Sequence, residues 1–305
     1  MTSYSLTLVL TFLLPLFHLV FAQSPEAIYD GGIANTTSGN STVGLRIGNG
    51  GAGQSGLVKV LADKFISESV ANGSSPFTVA WYVSDTTYSI EYLASGILDV
   101  GITYSFAAEK IAIQRGIATD PPYYAFRDHF LLVGPQSNPA NLNETSDIST
   151  MFADLHEAAE DKSKNGTVRF LSRFDKSATN IKESALWTGI GQVPWANTYS
   201  KWYHQYVAFP LQALEAAIKL GEYTITDRGT LLSLDAGIAN KTRIFKAGSD
   251  EADDPLLNPA RVLVGAKAPN PDRARQFAQW VTGPSAQKAI TGFKKNGQQL
   301  YTGAP

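Results

Sequence analysis

The stretch VGLRIGNGGAGQSGLVKVLADKFI (residues 43–66) decides the fold. Residues 43–47 are a short β-rich run, and residues 48–56 are dominated by glycine. Leu57, Val58, Leu61, Phe65 and Ile66 then recur at the spacing of a helix with one apolar face. Working outward, 77–83 reads as a strand, 88–95 as a helix, 98–103 as a strand and 106–115 as a helix. Residues 43–115 therefore run β-loop-α-β-α-β-α, which predicts a mostly parallel sheet with helices on its faces. Right-handed crossovers place the strand-to-helix loops along one sheet edge, where ligands bind.

Further along, 129–134 (HFLLVG) is a strand followed by the breaker cluster PQSNP (135–139). A second unit follows, with helices predicted at 151–159, 181–188 and 211–220 and strands at 168–172 and 223–226. A second breaker region, 253–259, precedes a strand at 261–266, and helices at 273–281 and 285–293 end the chain. Two breaker-flanked strands imply two crossings between lobes. The expectation is a hinged two-lobe α/β fold, each lobe a mostly parallel sheet flanked by helices, with the ligand in the cleft. Lobe 1 is expected to hold 43–134 plus 260–305, and lobe 2 to hold 135–259. The Gly-, Ser-, Thr- and Asn-rich segment 23–42 reads as a flexible polar lead.

The chain has 305 residues, with 25 Lys and Arg against 27 Asp and Glu, and no cysteine. A net charge of −2 gives no electrostatic basis for binding nucleic acid or an anionic membrane. Without cysteine there is no disulfide framework, thiolate metal site or cysteine nucleophile. Residues 1–22, nearly all apolar from Leu8 to Ala22, read as a secretory signal peptide cleaved after Ala22, although no Lys or Arg precedes the apolar run. No later run is long and apolar enough to span a bilayer, so no membrane insertion is expected after cleavage. N-x-[ST] sequons stand at Asn35, Asn40, Asn72, Asn143, Asn165 and Asn240. On an exported chain they point to a secreted, extracellular glycoprotein of a eukaryote, with these sites on surface loops and a monomer expected.

Three strand-to-helix segments are candidate sites. Gly51, Gly53 and Gly56 satisfy G-x-G-x-x-G, but no acidic residue follows about 20 positions on, where a dinucleotide site needs one. What survives is a loop whose backbone can approach an anion at a helix N-terminus, or simply a tight turn. In FLSRFDKSATN (170–180), Arg173 with Ser177 and Thr179 near a helix start would cradle an oxyanion; alternatively Ser177 or Thr179 is only an N-cap and Arg173 pairs with Asp175. In GEYTITDRGTLLSL (221–234), Asp227 reads as a helix cap. His129, His156 and His204 have no zinc-ligand spacing, and Ser55 misses the G-x-S-x-G elbow by one residue, so no enzyme or metal site is expected. The aromatic cluster Trp195, Tyr199, Trp202, Tyr203 and Tyr206 reads as core first and as cleft lining second.

At these segments the chain resembles a known family. LSRFDKSATNIKESALW resembles the S-R-x-D-x-S-x-T-x-x-x-E-x-x-x-W stretch of TupA-type tungstate-binding proteins, and GEYTITDRGTLLSL resembles their G-x-Y-T-[LI]-T-D-R-G-T block. LLVGPQSNPA, SGLVKVL and LDVGITYSFAAEK are similar to weaker blocks, in order, over residues 45–293. The resemblance implies a type II periplasmic-binding-protein fold and capture of an oxyanion such as tungstate or molybdate, without chemistry or cofactor. It implies an anion-binding Arg at Arg173, with Ser177 and Thr179 beside it, and Ser105 and the loop Gly50, Gly51, Ala52 and Ser55 completing the cradle. It names no transporter or receptor for this chain. The family's Thr/Ser-rich first loop is Gly50-Gly51-Ala52 here, and its G-Q-G-M-G loop is replaced by residues 207–211. Losing two hydroxyl donors at roughly 1.5–3 kcal/mol each would weaken tungstate by about 10²–10⁴-fold unless backbone N–H groups substitute, which leaves another anion or a larger organic acid open beside tungstate and molybdate. Two other outcomes remain open: a glycosylated extracellular interaction protein whose ligand is altered or lost, and a secreted hydrolase using Ser55.

Overall fold

The computed structural model describes residues 23–33, 42–196 and 199–305. The expected signal peptide and the sequons Asn35 and Asn40 lie outside the described residues. The elements, in order, are β1 (Ala27–Tyr29), β2 (Val43–Asn49), α1 (Gly51–Ser55), α2 (Leu57–Ala71), β3 (Thr78–Val83), α3 (Thr86–Ser95), β4 (Val100–Thr103), α4 (Phe106–Gln114) and β5 (Tyr123–Pro135). There follow α5 (Ile148–Glu160), β6 (Phe170–Ser172), α6 (Ala178–Gly189), β7 (Tyr203–Gln205), α7 (Pro210–Leu220), β8 (Thr224–Asp227), α8 (Arg228–Leu231) and α9 (Ala236–Ala239). Last come β9 (Thr242–Ala247), β10 (Leu257–Val264), α10 (Pro271–Val281) and α11 (Pro284–Gly292), with a short terminal strand at Thr302–Gly303.

Each opening element forms for a readable reason. Leu45 and Ile47 alternate inward from β2, and the whole stripe Leu57, Val58, Leu61, Phe65 and Ile66 of α2 is buried against them. Phe65 meets Phe77 and Phe277 edge-on at 5.9 and 5.3 Å, which ties α2 and β3 to the C-terminal α10. Asp85, Ser177 and Asp227 accept hydrogen bonds from the backbone N–H three residues on, and so set where α3, α6 and α8 begin. That explains why α3 and α6 start two and three residues earlier than apolar spacing alone suggests. α7 starts on Pro210 and stops at Gly221, whose φ is +67°.

β2 lies between β3 and β4 and runs parallel to both. β10 returns antiparallel beside β4, and β5 lies antiparallel to β10. β5 is the pivot of the architecture. Its first part, through His129, pairs with β10 and Thr302–Gly303. From Phe130 it pairs with β8 and β9. The return crossing is equally abrupt, with the Phe130 N–H donating to the Leu256 carbonyl at 2.8 Å just before β10 begins. Residues 130–134, expected in lobe 1, are therefore laddered to the strands of the second unit. The breaker cluster that suggested the boundary lies beyond the crossing, because it ends the strand and not the lobe.

Two large cores lie on either side of this crossing. One packs α2, α10 and α11 on β2, β4 and β10. The other gathers Phe152, Phe170, Trp187, Trp202, Tyr203 and Tyr223 beneath α5 and α6. The fold is thus the α/β two-unit fold expected, but the sheets are not mostly parallel: β2–β3, β2–β4 and β6–β7 are parallel, whereas β10 and β5 pair antiparallel with their neighbours because they return the chain across the units. Within the segment read as a flexible lead, Ala27–Tyr29 is a strand paired with β3. Gly31, at φ +68°, is so close to α2 that a Cβ there would meet Ile66 at 2.8 Å, and this contact fixes the segment. β9, a half-buried TRIFKA strand, had no counterpart in the sequence reading. Among the described residues, no helix is long and apolar enough to cross a membrane.

Candidate functional site

The helix starts converge on one small cavity of about 50 Å³ between the two units. One wall is Gly50, Gly51, Ser84, Asp85, Thr86 and Tyr104, from the ends of β2, β3 and β4. The opposite wall is Arg173, Ser177, Thr179, Phe209 and Asp227; Asp128, Phe130 and Asn258 close it at the crossing strands. A water needs roughly 10–15 Å³ by such a measure, so the space suits a few waters or one compact polyatomic ion.

Arg173 is the cavity's cation and is 6% exposed. Its Nε donates to the Ala208 carbonyl at 3.2 Å and its Nη1 to Thr179 Oγ1 at 3.3 Å, and its Nη2 is ion-paired to Asp175. Three of the five guanidinium N–H groups are thus engaged, leaving two. Ser177 Oγ accepts from the Asn180 N–H at 3.3 Å, and Thr179 Oγ1 accepts from Arg173, so each hydroxyl retains a proton to donate. The capping and cavity-lining readings of Ser177 hold together. So do the two readings of Arg173, which pairs with Asp175 and lines the cavity.

The loop carrying Arg173 is held from behind. Phe174 and Lys176 have φ of +48° and +64°, left-handed values that a side chain adopts only under constraint. The constraint is a buried hub. Phe174 N–H donates to Ser172 Oγ at 3.2 Å, Lys176 N–H to Asn180 Oδ1 at 3.3 Å, and Asn180 Nδ2 to Glu183 Oε1 at 2.8 Å; Ser172 Oγ also bonds Glu183. Burial pushes the Glu183 carboxyl up to about 8, against the opposing pull of these hydrogen bonds. Across the rim, Thr87 Oγ1 donates to the Lys176 carbonyl at 3.1 Å, a direct tie between the two walls.

The wall is more acidic than the sequence suggested. Asp85, Asp128 and Asp227 all line it. Burial, and then the neighbouring Asp227 charge, raise Asp128 well above the usual carboxylate range, keeping it neutral to higher pH. Asp85 is raised as well, by burial first. Tyr104 Oη accepts from Asn49 Nδ2 at 3.2 Å and is also pushed upward by burial. Sequence reasoning missed Asp128 and Tyr104. The available signal for Asp128 was a charged Arg127-Asp128-His129 step inside an apolar strand run, 125–134.

Of the expected cradle, the structure brings Arg173, Ser177, Thr179, Gly50 and Gly51 to this cavity and leaves out the other three. Ala52 is buried in α1. Ser55 Oγ donates to the Ala52 carbonyl at 3.0 Å and shares a hydrogen with Tyr301 Oη at 2.8 Å, so it belongs to the core. Ser105 stands at the N-cap position of α4 without a side-chain capping bond and opens onto a separate pocket. The glycine-rich segment is not a loop but the short helix α1. A Cβ on Gly53 would meet the Trp81 ring at 2.2 Å, and Gly56 has φ +101° at the α1–α2 junction. Those two glycines serve packing and a turn, not a phosphate. His129 Nε2 bonds Asp250 and not Ser55, so the hydrolase pair is not assembled. Of the aromatic cluster, Trp202 and Tyr203 are core, Trp195 packs against it, and Tyr199 is 92% exposed.

Two α/β units that share crossing strands and enclose a small polar cavity define a solute-binding architecture of the type II periplasmic class. The chain matches the model of the PBP superfamily domain over residues 34–285 and belongs to that superfamily. It is 59% identical to a periplasmic protein provisionally described as metal-binding, whose crystal structure aligns over 92% of this chain and 99% of that one with a TM-score of 0.84. It is 30% identical over 227 residues to the tungstate-binding protein TupA of Peptoclostridium acidaminophilum, covering 71% of this chain and 72% of that protein. It is 29% identical over 223 residues to a provisionally named ABC transporter anion-binding protein of Haloferax volcanii. That match covers 71% of this chain and spans 60% of the Haloferax protein's length. TupA from Desulfovibrio alaskensis G20, at 24% identity and a TM-score of 0.68, shares the fold over 87% of this chain and 99% of its own.

Proposed function

We propose that this chain is an exported solute-binding protein that closes on one small oxyanion of the tungstate or molybdate kind, without chemistry. The observation that carries this is the convergence of Arg173, with two N–H groups to spare, the hydroxyls of Ser177 and Thr179, and the start of α6 on one cavity. The relatives named for tungstate or anion binding support it. Residues 43–129 with 257–305 act as one lobe and 130–256 as the other. Residues 1–22 direct export. Asn72, Asn143, Asn165 and Asn240 are exposed and would accept glycans along with Asn35 and Asn40 if the exporting cell is eukaryotic, although the similar protein at 59% identity is periplasmic. The protein acts as a monomer and delivers its anion to a membrane transporter.

The test is a thermal-shift and calorimetric screen of tungstate, molybdate, sulfate, phosphate and small carboxylates. A ligand at 100 times its Kd adds about 2.7 kcal/mol to stability. The absence of any shift would remove the oxyanion reading. A second reading, a scaffold that has lost its ligand, is favoured by one specific observation: the Arg173–Asp175 ion pair already neutralises the cavity's cation. A flat screen with a well-folded protein would support it.

A further inference from the structure

Ser105, expected in the oxyanion cradle, opens instead onto a neighbouring cavity of about 270 Å³ on the far side of Tyr104, Phe130 and Asn258. The α6 face presenting Ala178, Ile181, Lys182 and Ala185 forms one wall. Ser105, Phe106 and Arg261 form the facing wall, with Leu257 and Pro259 at the base. The chemistry differs from that of the first cavity. Lys182 forms no ion pair among the described residues; its ammonium lies 6.0 Å from the Phe130 ring centroid. Arg261 lies between the Phe106 and Tyr124 rings at 4.6 and 4.8 Å, with buried Glu109 3.5 Å behind it. Two cations therefore face two carboxylates here, Glu109 and the more distant Asp254, whereas the single Arg173 faces Asp85, Asp128, Asp175 and Asp227. Burial lowers the Lys182 pKa, against the opposing pull of the Asp254 carboxylate, which lies beyond ion-pair distance. Phe106 and Ile181 are left half exposed at the rim.

We propose that this second cavity binds an organic carboxylate with a flat or branched apolar body. Lys182 and the Ser105 hydroxyl take the carboxylate, while Phe106, Ile181, Leu257 and Pro259 take the apolar part. A cation on apolar, aromatic walls selects such a ligand over a bare inorganic anion, which leaves those walls wet. The site does not depend on occupancy of the Arg173 cavity, so the two readings fail separately.

Calorimetric titration of the full chain with benzoate tests this, with benzamide as the uncharged control. Benzoate is expected to bind and benzamide not to. Lys182→Gln is expected to weaken benzoate about tenfold or more, and Ala185→Glu, which sets a carboxylate on the same exposed helix face, to abolish binding. Arg173→Ala is expected to leave benzoate within about threefold of wild type. No saturable benzoate binding, equal binding of benzamide, or loss on Arg173→Ala with none on Lys182→Gln would each overturn the assignment. Tungstate binding without benzoate binding would leave the proposed function standing and remove this site.

Discussion

Replacing Arg173 by alanine is the sharpest test of the oxyanion cavity. The guanidinium is anchored by Ala208, Thr179 and Asp175, so its two remaining N–H groups are fixed in direction before a ligand arrives. Each hydrogen bond to a charged partner contributes roughly 1.5–3 kcal/mol, so deleting two costs about 3–6 kcal/mol, or about 10²–10⁴-fold in Kd. The loss is expected to reach the upper part of that range, because Asp175, only 13% exposed at its side chain, is left uncompensated beside the anion. Arg173→Ala should be made alone and with Asp175→Asn, which removes that repulsion and recovers part of the affinity. Isothermal titration with the anion giving the largest thermal shift reads the effect, with circular dichroism to verify folding. A well-folded Arg173→Ala protein binding within about threefold of wild type would refute the role given to the guanidinium.

Other outcomes follow from the same geometry. Glu183 has a folded pKa near 8, above its unfolded value of about 4.3. The stability of its neutral form is therefore complete below the unfolded value and is lost as pH rises through the folded one. Glu183→Gln should flatten the fall in Tm across that window, removing a dependence on the order of 5 kcal/mol; a variant that tracks wild type at every pH would show that the hub is not neutral. Gly53→Ala drives a methyl to 2.2 Å from the Trp81 ring and should cost about 1–3 kcal/mol in urea unfolding. No loss would mean that Trp81 is free to move. Ser55→Ala should lower stability by about 1 kcal/mol through its lost bonds to Ala52 and Tyr301 while leaving anion affinity unchanged. A large affinity loss would return Ser55 to the cradle.

The fold was legible because its elements are periodic and bounded: the α2 stripe, the Ser177 cap and Gly221 all act locally, whereas the Asp85 cap went unread and α3 was placed two residues late. β9 and β1 escaped because a short half-polar strand is defined by the partner it pairs with, and partners are not written in the strand. Arg173, Ser177 and Thr179 could be found together because they lie within seven residues of one another at a helix start. Asp128 could not, because whether a strand residue faces a cavity depends on register, and β5 changes partners two residues later, at Phe130. Ser105 was misplaced for a similar reason. It lies at a helix start like the others, but Tyr104 stands between it and Arg173 as the shared wall of two cavities. The glycines misled because close packing on Trp81 and close approach to a phosphate require the same residue.

The passage of one unbroken strand, β5, through both halves limits how this molecule can open. A ladder laced on both sides of His129 resists sliding but tolerates twist, so the opening that the proposed function requires would part the halves as jaws about an axis near residues 129–130 and 256–257. Asp128, Phe130 and Asn258 sit on that axis and stay where they are. Gly50 and Arg173 stand out along the jaws and separate. On the proposed function, an arriving solute would therefore meet that acidic floor before the arginine closed onto it. Burial and the Asp227 charge keep Asp128 neutral to higher pH, so on the proposed function the protonation of that floor sets how much negative charge a solute would meet there.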